Sequence, residues 1–413
     1  MKALMTAFNR QESVKSSAPA PVGVDDLAGE FLIRCLAARC LAPDRRPGAL
    51  DAARVLAAGD AFDWQGVYQR ALEERVAPLL HTVLGDEAFV PPAVRRRLQE
   101  AYLATARRNL LLFHELEEAL STLSEAGVDA LVLKGGALAE TVYHNIAVRP
   151  LTDFDLLVHR ERASRAIEML SALGYEQTRV EPHMGLALRH GNEVLLRKQG
   201  PLDVHLELHW SLFDSPHYQE RLPMAWFWES AIPGAAAGGL AAVLSPEAQL
   251  LHLCGHLMLH HRGDELLWLH DVAELLCVYE GRIAWSLVLE MAEACDLVLP
   301  VQRVISVVAA GWGAPVPAGV LARLAGMTPS PGEVQVFSWL SGEERPVLER
   351  FWADLATMPS WSERFSYALR QLFPSRRYMR HRYGVSHPLL LPLAYPYRWG
   401  LGLYRAIVAD ADE

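Results

Sequence analysis

The sequence predicts an α+β protein in which a small mixed β-sheet with flanking helices lies between helical N-terminal and C-terminal regions. Strand-like runs are concentrated in residues 128–210, where they alternate with helical segments. Before and after that stretch, apolar residues return every three or four positions, which is typical of helices that bury one face. Of the 413 residues, 51% are hydrophobic and 21% are charged, a composition that supplies a sizeable buried core.

Chain length and local composition divide the sequence into regions. A chain of this length corresponds to two or three domains of roughly 100–200 residues each. Residues 1–25 are rich in Ser, Ala and Pro, which predicts a disordered lead-in. The other predicted regions are a helical N-terminal region at 26–127, a sheet-bearing core at 128–244, a helical domain at 245–327, and a helical tail with aromatic and basic residues at 328–413.

Two helices that precede the core are predicted from apolar spacing and end signals. Asp63 stands before a helical pattern that runs from Trp64 to Leu84. The longest predicted helix spans 93–127, and Gly127 is placed to end it because glycine adopts left-handed backbone dihedrals without strain. The apolar face of this helix comprises Leu98, Tyr102, Leu110, Phe113, Leu116, Leu120 and Leu123.

Four strands and two helices are predicted within the core, and the first helix directly follows the first strand. The glycine–proline turn at 199–201 predicts that the last two strands form a hairpin. A helix is expected at 160–173, between the second strand and the third. The strands are LVL within 128–133, DFDLLV at 153–158, EVLLRK within 193–200 and PLDVHLELHW at 201–210.

The charge balance and the cysteines exclude several classes of protein. The formal net charge of −10 argues against a dedicated nucleic-acid-binding protein, because such domains carry an excess of basic residues. The five cysteines are scattered without a C-x-x-C pair, which fits reduced thiols in a cytoplasmic protein. The N-terminus lacks a signal-peptide pattern, and no stretch reaches the roughly 18 apolar residues that span a membrane. We therefore expect a cytoplasmic, bacterial-type enzyme.

Asp153 and Asp155 form a D-x-D pair in the second predicted strand. Successive side chains of a strand point to opposite faces, so both carboxylates would project from one face, roughly 7 Å apart. Mg²⁺ prefers carboxylate oxygens together with substrate phosphates. A pair of such ions stabilises both the attacking and the leaving oxygen of a phosphoryl displacement. The pair alone is weak evidence, because an isolated D-x-D is usually a solvated strand end.

Lys134, Gly135 and Gly136 lie at the predicted junction of the first strand with a helix. Glycines at such a junction let backbone N–H groups approach a phosphate, and the helix N-terminus favours negative charge. A lone K-G-G is usually only a turn. The two glycines precede the D-x-D pair in a strand–helix–strand context, and this combination is far more specific than either motif alone.

Together these motifs resemble the polymerase-β-type nucleotidyltransferase superfamily. They are more closely similar to a family of uncharacterised bacterial nucleotidyltransferases that are often associated with polysaccharide and peptide natural-product clusters. The resemblance covers roughly residues 60 to 300. It rests on Leu133-Lys134-Gly135-Gly136-Ala137-Leu138, Tyr143, Arg149, Asp153-Phe154-Asp155-Leu156-Leu157-Val158, Leu173-Gly174-Tyr175, Glu207-Leu208-His209-Trp210, His256, Trp268 and Asp271.

The superfamily takes a third carboxylate from a later strand, as catalytic base or metal ligand. By the period-two rule, Asp203, His205, Glu207 and His209 share one face of the fourth predicted strand. Glu207 is the preferred third carboxylate because its segment matches the family, and Asp203 is the alternative. His209 would orient Glu207 or the acceptor, and His205 would lie beside the site.

Cations near the carboxylates are the expected phosphate ligands. Lys134 and Arg149 could bind triphosphate oxygens, where they would offset developing charge. Arg149 could equally be the structural partner of a carboxylate. The resemblance also implies that His256 and Asp271 line or brace the cleft.

His252, His256 and His260 repeat every four residues, a spacing that raises the question of zinc binding. There is no H-E-x-x-H motif, and the stripe drifts around the helix by about 40° per step. A brace or cleft lining is therefore favoured over a zinc site, although the sequence leaves the question open.

The resemblance implies Mg²⁺-dependent transfer of a nucleoside monophosphate from an NTP such as ATP to an acceptor hydroxyl or phosphate, with release of pyrophosphate. It implies two Mg²⁺ ions, which Mn²⁺ could replace. The acceptor would be a small molecule, a sugar or a peptide, in natural-product or polysaccharide biosynthesis. Two alternatives are a non-catalytic nucleotide-binding scaffold, disfavoured by the intact carboxylates, and a toxin-type enzyme acting on tRNA or protein. The acidic net charge weighs against tRNA.

Overall fold

The computed structural model confirms the predicted α+β class: a mixed β-sheet is flanked by helices and followed by a helical C-terminal region. The predicted disordered lead-in at 1–25 lies outside the described residues. The structure describes residues 27–41, 46–59, 62–178, 183, 185, 188, 191–261, 263–341, 347–358, 360–385, 387 and 390–409.

The described helices account for most of the chain outside the central sheet. None of them combines the length and the apolarity needed to cross a bilayer. In chain order they are α1 (Leu27–Cys40), α2 (Arg46–Ala57), α3 (Trp64–Glu73), α4 (Ala77–Leu84), α5 (Pro92–Glu125), α6 (Lys134–Thr141), α7 (Ala163–Ala172), α8 (Pro216–Arg221), α9 (Met224–Glu229), α10 (Pro246–Leu259), α11 (Leu266–Val278), α12 (Trp285–Ala294), α13 (Val298–Trp312), α14 (Ala318–Gly326), α15 (Pro331–Leu340), α16 (Val347–Thr357), α17 (Trp361–Leu372), α18 (Arg376–Tyr383) and α19 (Leu391–Ala409), with short 3₁₀ turns at Arg160–Arg162 and Ala237–Gly239.

Seven strands of the described chain form one sheet: β1 (Ala130–Leu133), β2 (Phe154–Val158), β3 (Tyr175–Gln177), β4 (Glu193–Lys198), β5 (Val204–His209), β6 (Ile232–Ala236) and β7 (Ala241–Val243). Their order is β3-β4-β5-β2-β1-β7-β6. The predicted β4–β5 hairpin is confirmed as an antiparallel pair. At the centre, β2 pairs antiparallel with β1 and parallel with β5. The short strand β3 lies within the strand-rich stretch predicted at 128–210, whereas β6 and β7 lie outside it and were not predicted.

The predicted helix from Trp64 to Leu84 is wrong in its continuity. The structure contains two helices, α3 and α4, with Arg75 between them at a φ of +59°. Pro78 explains the break, because a proline inside one continuous helix would remove a hydrogen bond and clash with the preceding turn. In the observed arrangement Pro78 occupies the first turn of α4, where it is tolerated.

The long helix α5 matches its prediction closely. Gly127 follows it with a φ of +69°, and the Val128 N–H donates to the Leu123 carbonyl at 2.9 Å, which caps the helix end. Leu98, Phe113, Leu116, Leu120 and Leu123 are buried as expected. Leu110 is the exception, since it is 64% exposed. It belongs to the solvent side of this helix.

The two faces of the sheet belong to two hydrophobic cores. Phe154, Leu156 and Val158 pack with α5 and α7 on one face. Leu133 and Leu157 point to the other face and pack into a larger core that contains residues of α1, α3, α4, α10, α11 and α13. The candidate site side chains of β2 and β5 lie on this second face. Helices that precede the sheet in the chain and helices that follow it both pack there.

Candidate active site

The sheet register places two carboxylates side by side. Asp155 of β2 lies directly opposite Glu207 of the parallel strand β5. On its other side, Asp155 lies opposite Leu133, the last residue of β1, so that Lys134 follows at the same sheet edge. Neighbouring strands are about 4.8 Å apart, which brings these side chains within interaction distance. The predicted combination of Lys134, Asp155 and Glu207 is thus present in the structure.

These residues form a compact ionic cluster. The Lys134 Nζ is 2.6 Å from Asp155 Oδ1 and 3.4 Å from Glu207 Oε2. His209 Nε2 lies 3.1 Å from the same Asp155 oxygen and 3.5 Å from Glu207 Oε2. On its other side, His209 Nδ1 is 3.1 Å from Glu193 Oε2. One ammonium group and one imidazole therefore face three carboxylates.

The electrostatics keep Asp155 ionised. Burial alone would raise the pKa of Asp155, but the Lys134 charge and the hydrogen bond from His209 outweigh burial and lower this pKa. Burial likewise favours neutral Lys134, but the charges of Asp155 and Glu207 raise the pKa of its ammonium group. The site thus contains a fixed carboxylate next to a fixed cation.

Asp153 is less tightly integrated than its D-x-D partner. The strand β2 begins at Phe154, so Asp153 lies just before it, and Thr152 donates a hydrogen bond to its Oδ1 at 3.0 Å. Burial, then the charges of Asp155 and Glu207, raise the pKa of Asp153, which indicates that its carboxylate faces theirs. Asp153 therefore lies near Asp155 and Glu207. The prediction that Asp153 and Asp155 lie on one regular strand is wrong, because the strand begins at Phe154.

Asp203 and His205 lie away from the ionic cluster. Asp203 precedes β5, and its Oδ2 is 2.5 Å from Arg197 Nη2 in a solvent-exposed ion pair. His205 is also exposed. Of the two candidates for the third carboxylate, Glu207 is the one that meets Asp155, and the role of either in catalysis stays a prediction.

The Lys-Gly-Gly turn is confirmed as the junction of β1 with α6. Lys134 has a φ of +47°, so the chain reverses sharply into the first helical turn. A Cβ on Gly135 would lie 2.6 Å from Arg149 Nη1, and one on Gly136 would lie 3.0 Å from a Val132 methyl carbon. Both glycines are therefore required by close packing. Gly135 in particular allows the Arg149 guanidinium to approach the helix start.

Arg149 is held by a buried carboxylate. Its Nη2 and Nε lie 2.7 and 3.3 Å from the two oxygens of Asp271 on α11, and Tyr143 donates to the same carboxylate at 2.7 Å. Arg149 is 5% exposed and Asp271 is fully buried. Of the two roles expected for Arg149, the structure shows the carboxylate partner, and phosphate binding stays a prediction. Asp271 contacts Arg149 and Tyr143, and its role in the cleft stays a prediction.

The histidine stripe lies near the Lys134 side of the site. His256 Nε2 is 3.1 Å from His261 Nε2, and the His261 ring packs against Trp268. Burial, and then the Lys134 charge, lower the pKa of His261 to about 4 and also depress that of His256. Within the described residues, the groups of potential metal ligands do not include this stripe. Burial likewise lowers the pKa of His252, so His252 and His256 are held as neutral imidazoles, and their place in the cleft stays a prediction.

Two residues of the site were missed in the sequence. Glu193 lies opposite His209 across the β4–β5 hairpin, a register that the turn at 199–201 could have supplied. Arg75 lies over the Trp268 ring at 5.0 Å. Burial and the Arg149 charge lower the pKa of Arg75, while Asp271 and Asp153 oppose this shift. The only sequence signal for Arg75 was Pro78, which marks the helix break that positions it.

The donor set fits a hard divalent cation. One ligand atom each from Asp155, Glu207 and His209 lie within 4.8 Å of one another. Carboxylate oxygens suit Mg²⁺, whereas a protonated imidazole offers no lone pair. Asp155 and Glu207, with Asp153 beside them, are therefore the residues that could hold such an ion.

The His209 charge should make stability depend on pH in the metal-free protein. Burial would lower the pKa of His209, but the hydrogen bonds to Asp155 and Glu207 and the charge of Glu193 raise it to about 9. The pKa of histidine in an unfolded chain is about 6.5. The stabilisation is therefore full below pH 6.5 and is lost as pH rises through 9. We expect the wild type to lose about 3 kcal/mol more than His209→Gln between pH 6 and pH 10.

Urea unfolding in the presence of a chelator measures this difference. Both proteins are compared at each pH, so that other titrating groups cancel. Parallel stability curves for the two proteins would contradict the assigned protonation of His209.

Comparison with known proteins identifies the family of this chain. The family model described as "Uncharacterised nucleotidyltransferase" matches residues 60–313, which include every residue of the ionic cluster. No curated protein matches the chain significantly. One similar solved structure is an antigenic nucleotidyltransferase-like protein from Paracoccidioides brasiliensis, with 14% sequence identity, coverage of 51% of this chain and 96% of that chain, and a TM-score of 0.32. Because the family match spans more than half of the chain, the protein is a member of the uncharacterised nucleotidyltransferase family and a transferase.

Proposed function

We propose that the protein transfers a nucleoside monophosphate from an NTP to an acceptor hydroxyl or phosphate and releases pyrophosphate. The observation that carries this proposal is the pairing of Asp155 with Glu207 on adjacent parallel strands, with Lys134 facing both. Family membership supports nucleotidyl transfer in general. The same motifs support kinship with the polymerase-β-type superfamily.

In this proposal, Asp155, Glu207 and Asp153 hold one or two Mg²⁺ ions, for which Mn²⁺ could substitute. When bound, such ions supply charge stabilisation to the attacking and leaving oxygens of a phosphoryl displacement. The remaining work falls to the chain's own groups. Lys134 already contacts two of the carboxylates, and its ammonium could exchange these contacts for triphosphate oxygens.

Glu207 is the proposed base for the acceptor hydroxyl. Its side chain is 25% exposed, whereas that of Asp155 is 5% exposed, so Glu207 is the carboxylate that an incoming acceptor can reach. His209 contacts Glu207 and is itself held by Glu193. In this proposal, these charged contacts orient Glu207 toward the acceptor.

The triphosphate would lie at the start of α6. The first-turn N–H groups of a helix have no acceptor within that helix, and its N-terminus favours anions. Arg75 lies near the same region, because its charge interacts with the charges of Asp153 and Arg149. We infer that Arg75 is a further phosphate ligand, while Arg149 positions the turn from behind Gly135.

The acceptor is proposed to be a small molecule, a sugar or a peptide in a bacterial natural-product or polysaccharide pathway, and ATP is the first NTP to test. The net charge of −10 disfavours nucleic acid as the acceptor. A cytoplasmic location agrees with the cysteines, because all five are free thiols and disulfides are rare in cytoplasmic proteins.

Incubation of the protein with each NTP, labelled at the α-phosphate, and Mg²⁺ tests the proposed reaction. We expect the label to move from the NTP to an acceptor, with one pyrophosphate released for each label transferred. Label transfer and pyrophosphate release should both stop when the metal is chelated. Calorimetry under the same conditions should show metal-dependent NTP binding. Binding without transfer to any acceptor class would instead identify a nucleotide-binding scaffold, and release of free phosphate would contradict nucleotidyl transfer.

A further inference from the structure

A second group of potential metal ligands lies outside the ionic cluster, where α1 ends against α11. Cys40 is the last residue of α1, and His270 and Glu274 lie one turn apart on α11. The Cys40 Sγ is 3.6 Å from His270 Nδ1 and 3.1 Å from Glu274 Oε2, and His270 Nε2 is 3.6 Å from that same oxygen. One donor atom from each of these three residues lies within 4.8 Å of the other two.

His270 supplies an independent sign that something is missing from this group. The residue is fully buried, and its Nε2 has no hydrogen-bond partner among the described residues. A buried polar atom without a partner costs about 1–3 kcal/mol, so it calls for a ligand, an ion or a water. Burial, followed by the charge of Arg39, lowers the pKa of His270, which keeps the imidazole in the neutral, metal-binding form.

Cys277 is the candidate for a fourth donor. It lies one turn beyond Glu274 on α11 and outside the three residues whose donor atoms lie within 4.8 Å of one another, and its interaction with Cys40 contributes to the raised pKa of the Cys40 thiol. The three possible donors on α11 follow one another at helical spacing, and all project toward the end of α1. They are His270, Glu274 and Cys277. We propose that Cys40, His270, Glu274 and Cys277 form a binding site for a divalent metal ion of the zinc class.

The spacing and chemistry of the group fit zinc. Around a tetrahedral Zn²⁺ with bonds of about 2.3 Å to sulfur and about 2.1 Å to nitrogen or oxygen, neighbouring donors lie about 3.4–3.8 Å apart. The distances from Glu274 Oε2 to Cys40 Sγ, 3.1 Å, and to His270 Nε2, 3.6 Å, are close to this spacing. The 3.6 Å contact with Cys40 is made by the other ring nitrogen, Nδ1, and one ion would bind only one of the two nitrogens. Thiolates are soft ligands, so Mg²⁺ is excluded as the preferred ion of this group. The ionic cluster of the sheet differs in this respect, because it contains no sulfur.

Metal binding would require a small proton exchange. Burial raises the pKa of the Cys40 thiol, and the hydrogen bond with Cys277 and the charge of Glu274 raise it further. Without metal, the thiol donates its proton to Glu274 Oε2. On binding, Cys40 and Cys277 each release one proton to solvent and each sulfur forms one bond to the metal. Glu274 keeps its ion pair with Arg39 through the other oxygen, Oε1, at 3.1 Å.

The inferred site is structural and is connected to the catalytic face. It would tie the N-terminal helix α1 to α11, two elements that belong to one hydrophobic core. His270 immediately precedes Asp271, the residue that holds Arg149. An ion bound here would therefore fix the orientation of α11 next to the catalytic sheet without contacting the substrate.

Cobalt substitution of the full-length, metal-free, reduced protein tests the site. A thiolate bound to Co²⁺ gives a sulfur-to-cobalt charge-transfer band, and tetrahedral coordination gives intense d–d bands. We expect both at one equivalent, with stoichiometric zinc in protein purified without chelator. Because the sheet cluster lacks sulfur, cobalt bound there cannot produce the charge-transfer band. A wild-type protein without this band overturns the proposal, whatever the variants do.

Variants then assign the ligands. Cys40→Ala and Cys277→Ala should each reduce the band to about half, because one of two thiolates remains, and the double variant should abolish it. Cys254→Ala is the matched control, since Cys254 is a buried thiol of α10 outside the group, and it should retain the full band. Asp155→Asn should also retain it. A full band in Cys277→Ala would overturn the assignment of the fourth ligand, and one in Cys40→Ala would overturn the site.

Discussion

Replacing Asp155 with Asn should reduce NTP turnover by about 10³-fold or more, because an amide can neither hold a divalent ion as a carboxylate does nor compensate the Lys134 charge. The side chain is 5% exposed and its Oδ1 contacts both Lys134 and His209, so the substitution removes the charge on which the cluster is centred. Initial rates of pyrophosphate release measure the effect, and circular dichroism verifies that the variant is folded.

Asp203→Asn is the matched control for this experiment. Asp203 has the same side chain, but it pairs with Arg197 at the surface, so we expect turnover within about twofold of the wild type. Glu207→Gln should behave like Asp155→Asn. If Asp203→Asn lost activity while Glu207→Gln kept it, the third carboxylate would be Asp203, and undiminished turnover in Asp155→Asn would remove the whole assignment.

Replacing Arg149 with Met should lower the free energy of unfolding by about 3–5 kcal/mol, because the Asp271 carboxylate would remain buried without its partner. The pair is almost completely desolvated, with side-chain exposures of 6% and 0%, and Tyr143 alone cannot neutralise the charge. Urea denaturation followed by tryptophan fluorescence measures the loss.

Arg165→Met provides the comparison, because Arg165 pairs with Glu168 on the exposed side of α7. Breaking that surface pair should change stability by less than about 0.5 kcal/mol. The double variant Arg149→Met with Asp271→Leu should recover part of the lost stability, since it removes the uncompensated charge. A loss below 1 kcal/mol in Arg149→Met would show that solvent reaches Asp271 in the folded protein.

Most of the sheet was predictable because its signals are local. The alternation in β2 and β5 defines which side chains share a face, and the hairpin turn at 199–201 pairs β4 with β5. The parallel pairing of β2 with β5, which brings Asp155 to Glu207 and His209, is not contained in these local signals. The break at Arg75 was missed because the apolar spacing continues across it. Only the proline three residues later carried the information.

The second half of the site depends on contacts between distant parts of the chain. Arg149 and Asp271 are 122 positions apart, and nothing in either local sequence specifies that they pair. Lys134 was correctly placed next to the carboxylates, but its ion pair with Asp155 depends on a left-handed turn that composition does not reveal. Such long-range charge pairs depend on how the helices pack against one another. A single sequence shows the periodicity of each helix but not which helices are neighbours.

The ladder between β2 and β5 sets the distance between Asp155 and Glu207 through backbone hydrogen bonds that every amino acid except proline can make. Surface positions of the segment between the two strands, which contains α7, β3 and β4, can therefore change in sequence without altering that distance. Reaction and recognition are thus carried by separable parts of the fold. Relatives built on this plan can acquire new acceptors by remodelling the surrounding helices and loops while the same pair of carboxylates is inherited unchanged.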